Sequence, residues 1–349
     1  MSKFSLNVLK KCVFPYADTT DPDVLVGAVF GEDVALTSVG GDILASHVDP
    51  IVGAISNIGS LAVHVACNDL AASGIPPRWL LLLILVPRLE DEDLLEQIMR
   101  DSSHAAEDVG ASIIGGHTGY SSGILRPLVS VTALGTASGR KPVRTGGAHV
   151  GDSVLITKGI GLEGTGILAH DFADIAIRLG LSEQKLQEAR NLLTKISVLP
   201  EALVLAENRV SAMHDVTRGG VLETLLEIAY LSGVGIEIDS ARIPIPPVVE
   251  RFAKTFHFDP MRMISSGTLV ATVPKEKVEE VKRSLKRLKM NFAFVGKVTE
   301  GKGVHVLNNN GEDYHCTEIR CEEDELARIW TLYPRGGKDK DIESENNLS

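Results

Sequence analysis

Apolar positions alternate or cluster along the chain so as to predict strands and helices in turn. Gly31–Val39 reads as a turn running into a strand, and Ile43–Asp49 as its hairpin partner across Gly40-Gly41-Asp42. Asn57–Gly74 predicts a helix rich in small apolar residues, closed by Gly74 ahead of Pro76. Trp79–Val86, an apolar run between prolines, predicts a buried strand. Leu94, Leu95, Ile98, Met99, Ala105, Ala106 and Val109 form the stripe of a helix over about 91–109, whose acidic start Glu90–Asp93 suits the helix dipole. Ala111–Ile114 predicts a short buried strand emptying into Gly115-Gly116-His117-Thr118-Gly119, and Pro127–Ala137 another strand. The first half therefore predicts a sheet with helices on one face.

The basic, glycine-rich stretch Gly139–Asp152 has no periodicity and predicts a linker. Beyond it the pattern predicts a strand at 153–158, helices through about 179 and at 182–190, and a strand at 233–239. A helix at 246–256, a strand at 263–273, a charged helix at 275–290 and strands at 292–298 and 303–307 follow. The expected organisation is an N-terminal arm (1–27), a first domain (28–140), a linker (141–152), a second α/β domain (153–335) and a polar, disordered tail (336–349).

Composition narrows the class. A chain of 349 residues suits two domains. Its net charge of −11 argues against nucleic acid or an anionic membrane as a partner, though not against a small anion held through a divalent cation. Its four cysteines, Cys12, Cys67, Cys316 and Cys321, are too scattered for a disulfide framework or a four-cysteine zinc site. With no signal-like N-terminus and no run long enough to cross a bilayer, a reduced cytoplasmic setting is expected.

Three places carry candidate chemistry. Asn68 and Asp69 lie inside an apolar helix, where a carboxylate needs a cation or several donors. Asp33 and Asp49 stand at strand ends that a hairpin can bring together, although each alone also suits a turn. Asp215 and Thr217 precede a helix opened by Gly219-Gly220, with Arg218 beside its amides: a place for an anion, or equally a capped and closely packed helix start. The Gly115-Gly116 pair suits close approach to a phosphate or a plain turn, and His117 a ligand or a polar turn residue. Gly159-Ile-Gly161-Leu-Glu-Gly164 after a strand has the dinucleotide-binding form, but no second parallel strand with an acidic end follows it.

Taken in order, GEDVA with Asp33, SHVDP with Asp49, NDLAASGIPP with Asn68 and Asp69, GGHT at 115–118, GDSVLITKGIG at 151–161, HDVTRGGV at 214–221 and SSGTLVATV at 265–273 resemble the aminoimidazole ribonucleotide synthetase-like (PurM-like) superfamily. This group includes HypE, selenophosphate synthetase and thiamine monophosphate kinase, and the sequence looks most like the HypE branch. The resemblance implies a two-domain α/β (α+β) fold and homodimers whose N-terminal sheets pair. It implies ATP and Mg²⁺ as cofactors. Asp33, Asp49, Asp69 and Asp215 are the implied metal ligands. Asn68, Gly115, Gly116, Thr118, Arg218, Gly219 and Gly220 are the implied ATP contacts, with His117 a candidate catalytic or substrate residue where relatives often carry Asp or Glu. The implied activity is phosphorylation of an amide or carboxyl-type oxygen on a small-molecule or protein-borne substrate. The alternative is a nucleotide-binding, non-catalytic scaffold for a maturation or carbamoyl-transfer partner.

The chain departs from the HypE pattern in three places. It reads Ala327-Arg-Ile-Trp330 where that branch ends in Pro-Arg-Ile-Cys, Ser265-Ser266-Gly267 in place of Asn-Glu-Gly, and it lacks the glycine-rich N-terminal opening. Cys316 and Cys321 are open as replacements for the missing cysteine, against the acidic surroundings of Cys321.

Overall fold

Alternating inward apolar residues pair the N-terminal strands into a sheet, and small residues let two helices lie on one of its faces. A computed structural model describes residues 4–17, 20–52, 54, 56–308, 313–320 and 324–333. The N-terminal arm carries α1 (Leu6–Cys12), α2 (Phe14–Ala17) and β1 (Val24–Val26). There follow β2 (Ala35–Val39), β3 (Asp42–Ile51), α3 (Ile58–Ala72), β4 (Trp79–Val86), α4 (Glu92–Asp108), β5 (Ser112–Tyr120) and β6 (Leu128–Thr136). The six strands form one sheet in the order β1-β2-β3-β6-β4-β5. Gly59 is what lets α3 and α4 touch, since a Cβ there would sit 2.3 Å from the Ile98 carbonyl oxygen.

The second half runs β7 (Ser153–Thr157), α5 (Leu162–Asp171), α6 (Ala173–Arg178), α7 (Glu183–Arg190), α8 (Leu199–Glu207), β8 (Ala212–Asp215), α9 (Gly220–Ser232), β9 (Gly235–Asp239) and α10 (Pro247–Phe256). It continues with β10 (Leu269–Val273), α11 (Val278–Arg287), β11 (Phe292–Thr299), β12 (Gly303–Leu307), β13 (Tyr314–Cys316) and α12 (Glu325–Leu332). Its sheet has the order β13-β12-β9-β11-β7-β10-β8. Because β7 is flanked by two antiparallel strands, β10 and β11, the glycine motif after it does not open a dinucleotide fold. Gly159 instead makes room for Pro244, whose carbonyl oxygen would lie 2.9 Å from a Cβ at that position.

The structure corrects four element expectations. Strand β4 is buried on one face only; Leu81 and Leu83 point outward at 37% and 38% exposure. The predicted strand at 263–273 is regular only over Leu269–Val273, because Ser265 and Thr268 turn the chain before it. The helix at 275–290 opens with a 3-10 turn at Lys275–Lys277 and ends at Arg287. The strand expected at 111–114 continues through the glycine pair to Tyr120, since β4 pairs with it along its whole length. The predicted linker is irregular apart from one 3-10 turn at Thr145–Gly147, and Arg144 ties it to Glu32 at 2.7 Å. The expectations for Cys321 and the 336–349 tail lie outside the described residues, among which no helix is long and apolar enough to cross a membrane.

Candidate active site

Alternation along β3 decides which of its polar residues face inward. Ala45 is fully buried and Val48 exposed, so His47 and Asp49 share the Ala45 side, toward α3. Buried Asp69 on α3 meets them, its Oδ2 3.5 Å from His47 Nε2. From the second domain, the end of β8 brings in His214 and Asp215, both buried. The turn before β2 places Asp33 Oδ1 2.9 Å from His214 Nδ1. The opposite ring nitrogen, Nε2, lies 2.8 Å from Glu227 Oε2 on α9. Both domains thus contribute carboxylates to one place.

Burial and crowding set the charge states there. Asp69 is held well above the usual carboxylate range by burial and by neighbouring Asp215, Asp33 and Asp49. Burial pushes Asp33 up to about 7, against the pull of His214. Burial works against protonating His214, but Asp33, Asp215 and Glu227 outweigh it and hold the ring protonated well above its ordinary range.

The residues fit a divalent cation. Donor atoms of Asp33, His214 and Asp215 lie within 4.8 Å of one another. Both carboxylate oxygens of fully buried Asp215 lack a hydrogen-bond donor, and its nearest ion-pair atom is His214 Nδ1 at 3.6 Å. One imidazolium does not balance this many carboxylates, and an oxygen-rich set suits Mg²⁺ better than a soft metal.

Beside the carboxylates is a cavity of about 130 Å³. From the first domain His47, Asp49 and Asp69 line it; from the second, Thr217, Arg218, Glu163, Ser266, Asp324 and Trp330 of α12. The Trp330 ring packs edge-on to Phe172 at 4.6 Å and lies under the Arg126 guanidinium at 4.1 Å.

Not every predicted residue converges here. The Gly219 amide donates to Asp324 Oδ2 at 3.1 Å and the Gly220 amide to the Thr217 carbonyl at 3.1 Å, so this glycine pair does not offer free amides to an anion. Gly220 is a packing residue: at φ +70°, a Cβ would lie 2.3 Å from the Met261 carbonyl oxygen. Asn68 also has another job, since its Nδ2 donates to the Ile196 carbonyl and its Oδ1 accepts from the Val198 amide, both at 2.9 Å. Gly115, Gly116, His117 and Thr118 lie within edge strand β5 rather than in a loop, separated from β3 by β4 and β6. A side chain at Gly116 would collide with the Leu82 carbonyl oxygen at 1.9 Å, which accounts for that glycine by strand packing.

Sequence reasoning missed His47, His214, Glu227, Glu163 and Asp324. Two of them carried a signal: His214 is the immediate neighbour of Asp215, and His47 shares a strand face with Asp49 two residues on; Glu163, Glu227 and Asp324 come from elements far apart in the chain.

These features define a two-domain α/β protein with an acidic, cation-ready site where the domains meet. Models of the N-terminal and C-terminal domains of the AIR synthase related proteins match residues 31–137 and 149–307, and the chain belongs to that family. It is 28% identical over 313 residues to a Methanocaldococcus jannaschii protein named for hydrogenase expression and formation, covering 86% of this chain and 90% of that protein. It is 29% identical over 271 residues to the Escherichia coli carbamoyl dehydratase HypE, covering 76% and 77%. A crystal structure of the hydrogenase maturation protein HypE in complex with ATP shares the fold with a TM-score of 0.68 at 21% identity, covering 93% of this chain and 96% of that one.

Proposed function

We propose that this chain is a HypE-like, Mg²⁺-ATP-dependent enzyme that transfers the γ-phosphoryl group to an amide or carboxyl-type oxygen, and that it works as a homodimer. The observation that carries this reading is the meeting of Asp33, Asp49, Asp69 and Asp215, from two domains, beside a cavity that also holds Arg218. HypE in complex with ATP supports nucleotide binding by this fold.

An amide or carboxyl oxygen leaves poorly; once phosphorylated, it departs as phosphate. Held by the four aspartates, Mg²⁺ would neutralise charge that grows on the phosphates during transfer. Arg218 supplies a guanidinium fork that suits phosphate oxygens.

The chain's own departures favour a second reading. With Ser266 where the HypE branch has Glu and no cysteine closing the Ala327–Trp330 segment, a nucleotide-binding scaffold for a maturation or carbamoyl-transfer partner would need only the binding half of this chemistry.

Calorimetric titration with a non-hydrolysable ATP analogue tests the site, and ADP release separates enzyme from scaffold. The wild type is expected to bind only with Mg²⁺, and Asp69→Asn to bind at least about tenfold more weakly, a loss of about 1.4 kcal/mol. Mg²⁺-independent binding, or an unaffected Asp69→Asn, sinks the aspartate site. Binding without turnover, with any maturation partner supplied, sinks the enzyme and keeps the scaffold.

A further inference from the structure

The second domain's share of the cavity lining holds a second kind of carboxylate. Glu163 stands in the first turn of α5, 2% exposed, and lines the cavity with Arg218 and Ser266. Its Oε2 accepts the Ser266 amide at 3.2 Å. Two close approaches fix it there. The Gly164 amide donates to the Ile264 carbonyl at 3.1 Å, and a Cβ on Gly164 would sit 2.2 Å from Met263 Sδ, so α5 lies directly on the 263–268 turn. The Leu162 amide donates to Ser265 Oγ at 3.3 Å.

We propose that Glu163 is the general base of this site, taking the proton of the group that receives phosphate. This rests on the phosphoryl-transfer reading above. As the acceptor oxygen bonds to the γ-phosphorus, the bond from that phosphorus to the ADP oxygen breaks and ADP leaves with its electron pair. The acceptor's proton, from nitrogen in an amide or oxygen in water, passes to the Glu163 carboxylate.

Position and environment both suit the role. Asp49 and Asp69, which line the same cavity, would be engaged by the cation, and Asp69 also by His47, so they would be poor proton acceptors once it is bound. Glu163 faces no histidine or lysine partner in the described structure. Ser266, by hydrogen bonding, and then Arg218 favour its charged form and Asp324 opposes it, while His47, Asp49 and Asp69 line the same cavity from the first domain. Burial raises its carboxyl to about 7, which lets it accept a proton near neutrality and return it. A carboxylate confined this way with one amide donor is costly as mere structure.

The test uses the full-length protein, Mg²⁺-ATP and water as acceptor, with ADP release as the rate and calorimetric binding of a non-hydrolysable analogue as the control. Glu163→Gln keeps the side chain's shape and its contact to the Ser266 amide. It is expected to bind the analogue within about twofold of wild type and to release ADP at least about 100-fold more slowly. Adding Ser266→Glu returns a carboxylate to the same corner from the turn that Glu163 contacts, and is expected to recover at least about tenfold of the loss. Glu163→Gln turnover within about threefold of wild type overturns the assignment alone. So does a loss of rate matched by a loss of analogue binding, which would make Glu163 a binding residue. A wild type that binds no nucleotide overturns the phosphoryl-transfer reading and this assignment with it.

Discussion

Buried carboxylates at this site stand in unfavourable surroundings, and stability measured against pH exposes that. Glu163 is the cleanest case, with a folded-state value near 7 against an ordinary value near 4.5, raised first by burial. The folded state therefore holds a proton between those values that the unfolded chain has released. Its contribution is fully present below about pH 4.5 and lost as pH rises through 7. Above that, keeping the charge buried costs about 3 kcal/mol. Glu163→Gln carries no such charge. Urea unfolding is expected to show the variant more stable than wild type at pH 8, by an amount of that order, with the difference falling below about 1 kcal/mol at pH 5 and vanishing near pH 4. A constant difference across this range would mean the carboxylate is not proton-linked to folding. Asp69 was legible from its own surroundings, a carboxylate inside an apolar helix; Asp33, Asp49 and Asp215 suit turns or a helix cap taken singly, and only the family resemblance joined them to it. Glu163 was not legible, because an acidic residue in a first helical turn is what the helix dipole favours anyway.

Helix α3 joins the two domains, and one residue on it does much of the joining. Asn68 accepts the Val198 amide and donates to the Ile196 carbonyl, and all three residues are buried. Asn68→Ala leaves a buried amide and a buried carbonyl without partners, and is expected to cost about 3 kcal/mol of stability. Chemical denaturation reads this directly. A cost below about 1 kcal/mol would mean that water replaces the side chain and that the clamp is dispensable. The apolar helix around Asn68 marks it as a residue that needs a partner, without saying whether that partner is ligand or backbone; its assignment to nucleotide came from the family resemblance. Element periodicity was read more reliably: β4 matches its predicted span, and β3, α3 and α4 agree within one or two residues at most ends. The failures lie where glycines and serines carry no periodicity. At Gly115-Gly116, pairing with β4 continues a strand that the sequence broke. At 263–268, Ser265 and Thr268 replace a predicted strand with a turn.

Among the described residues, none covers the outer rows of one face of the first sheet, and that shapes the molecule as a whole. Pairing places Val48, Thr132, Leu81 and Gly115 in one row and Pro50, Ser130, Leu83 and His117 in the next, on the side away from α3. Val48 is 59% exposed and Leu81 and Leu83 more than a third, an apolar patch of the kind monomers avoid and interfaces use. The proposed homodimer covers it. It would also give β5 a purpose, since Gly115 and His117 share this face and have two strands, β4 and β6, between them and Asp49 of their own chain. Leu83→Lys puts a charge in the centre of the patch. In sedimentation velocity at micromolar concentration, the wild type is expected to run as a dimer and the variant as a monomer with an unchanged circular dichroism spectrum. If β5 serves the nucleotide through the dimer, the same variant also binds the ATP analogue more weakly, although Leu83 is not among the residues lining the cavity. A monomeric wild type defeats the dimer. A monomeric variant with intact binding keeps the dimer but confines the nucleotide site to one chain, and Gly115, His117 and Thr118 would then belong to the interface.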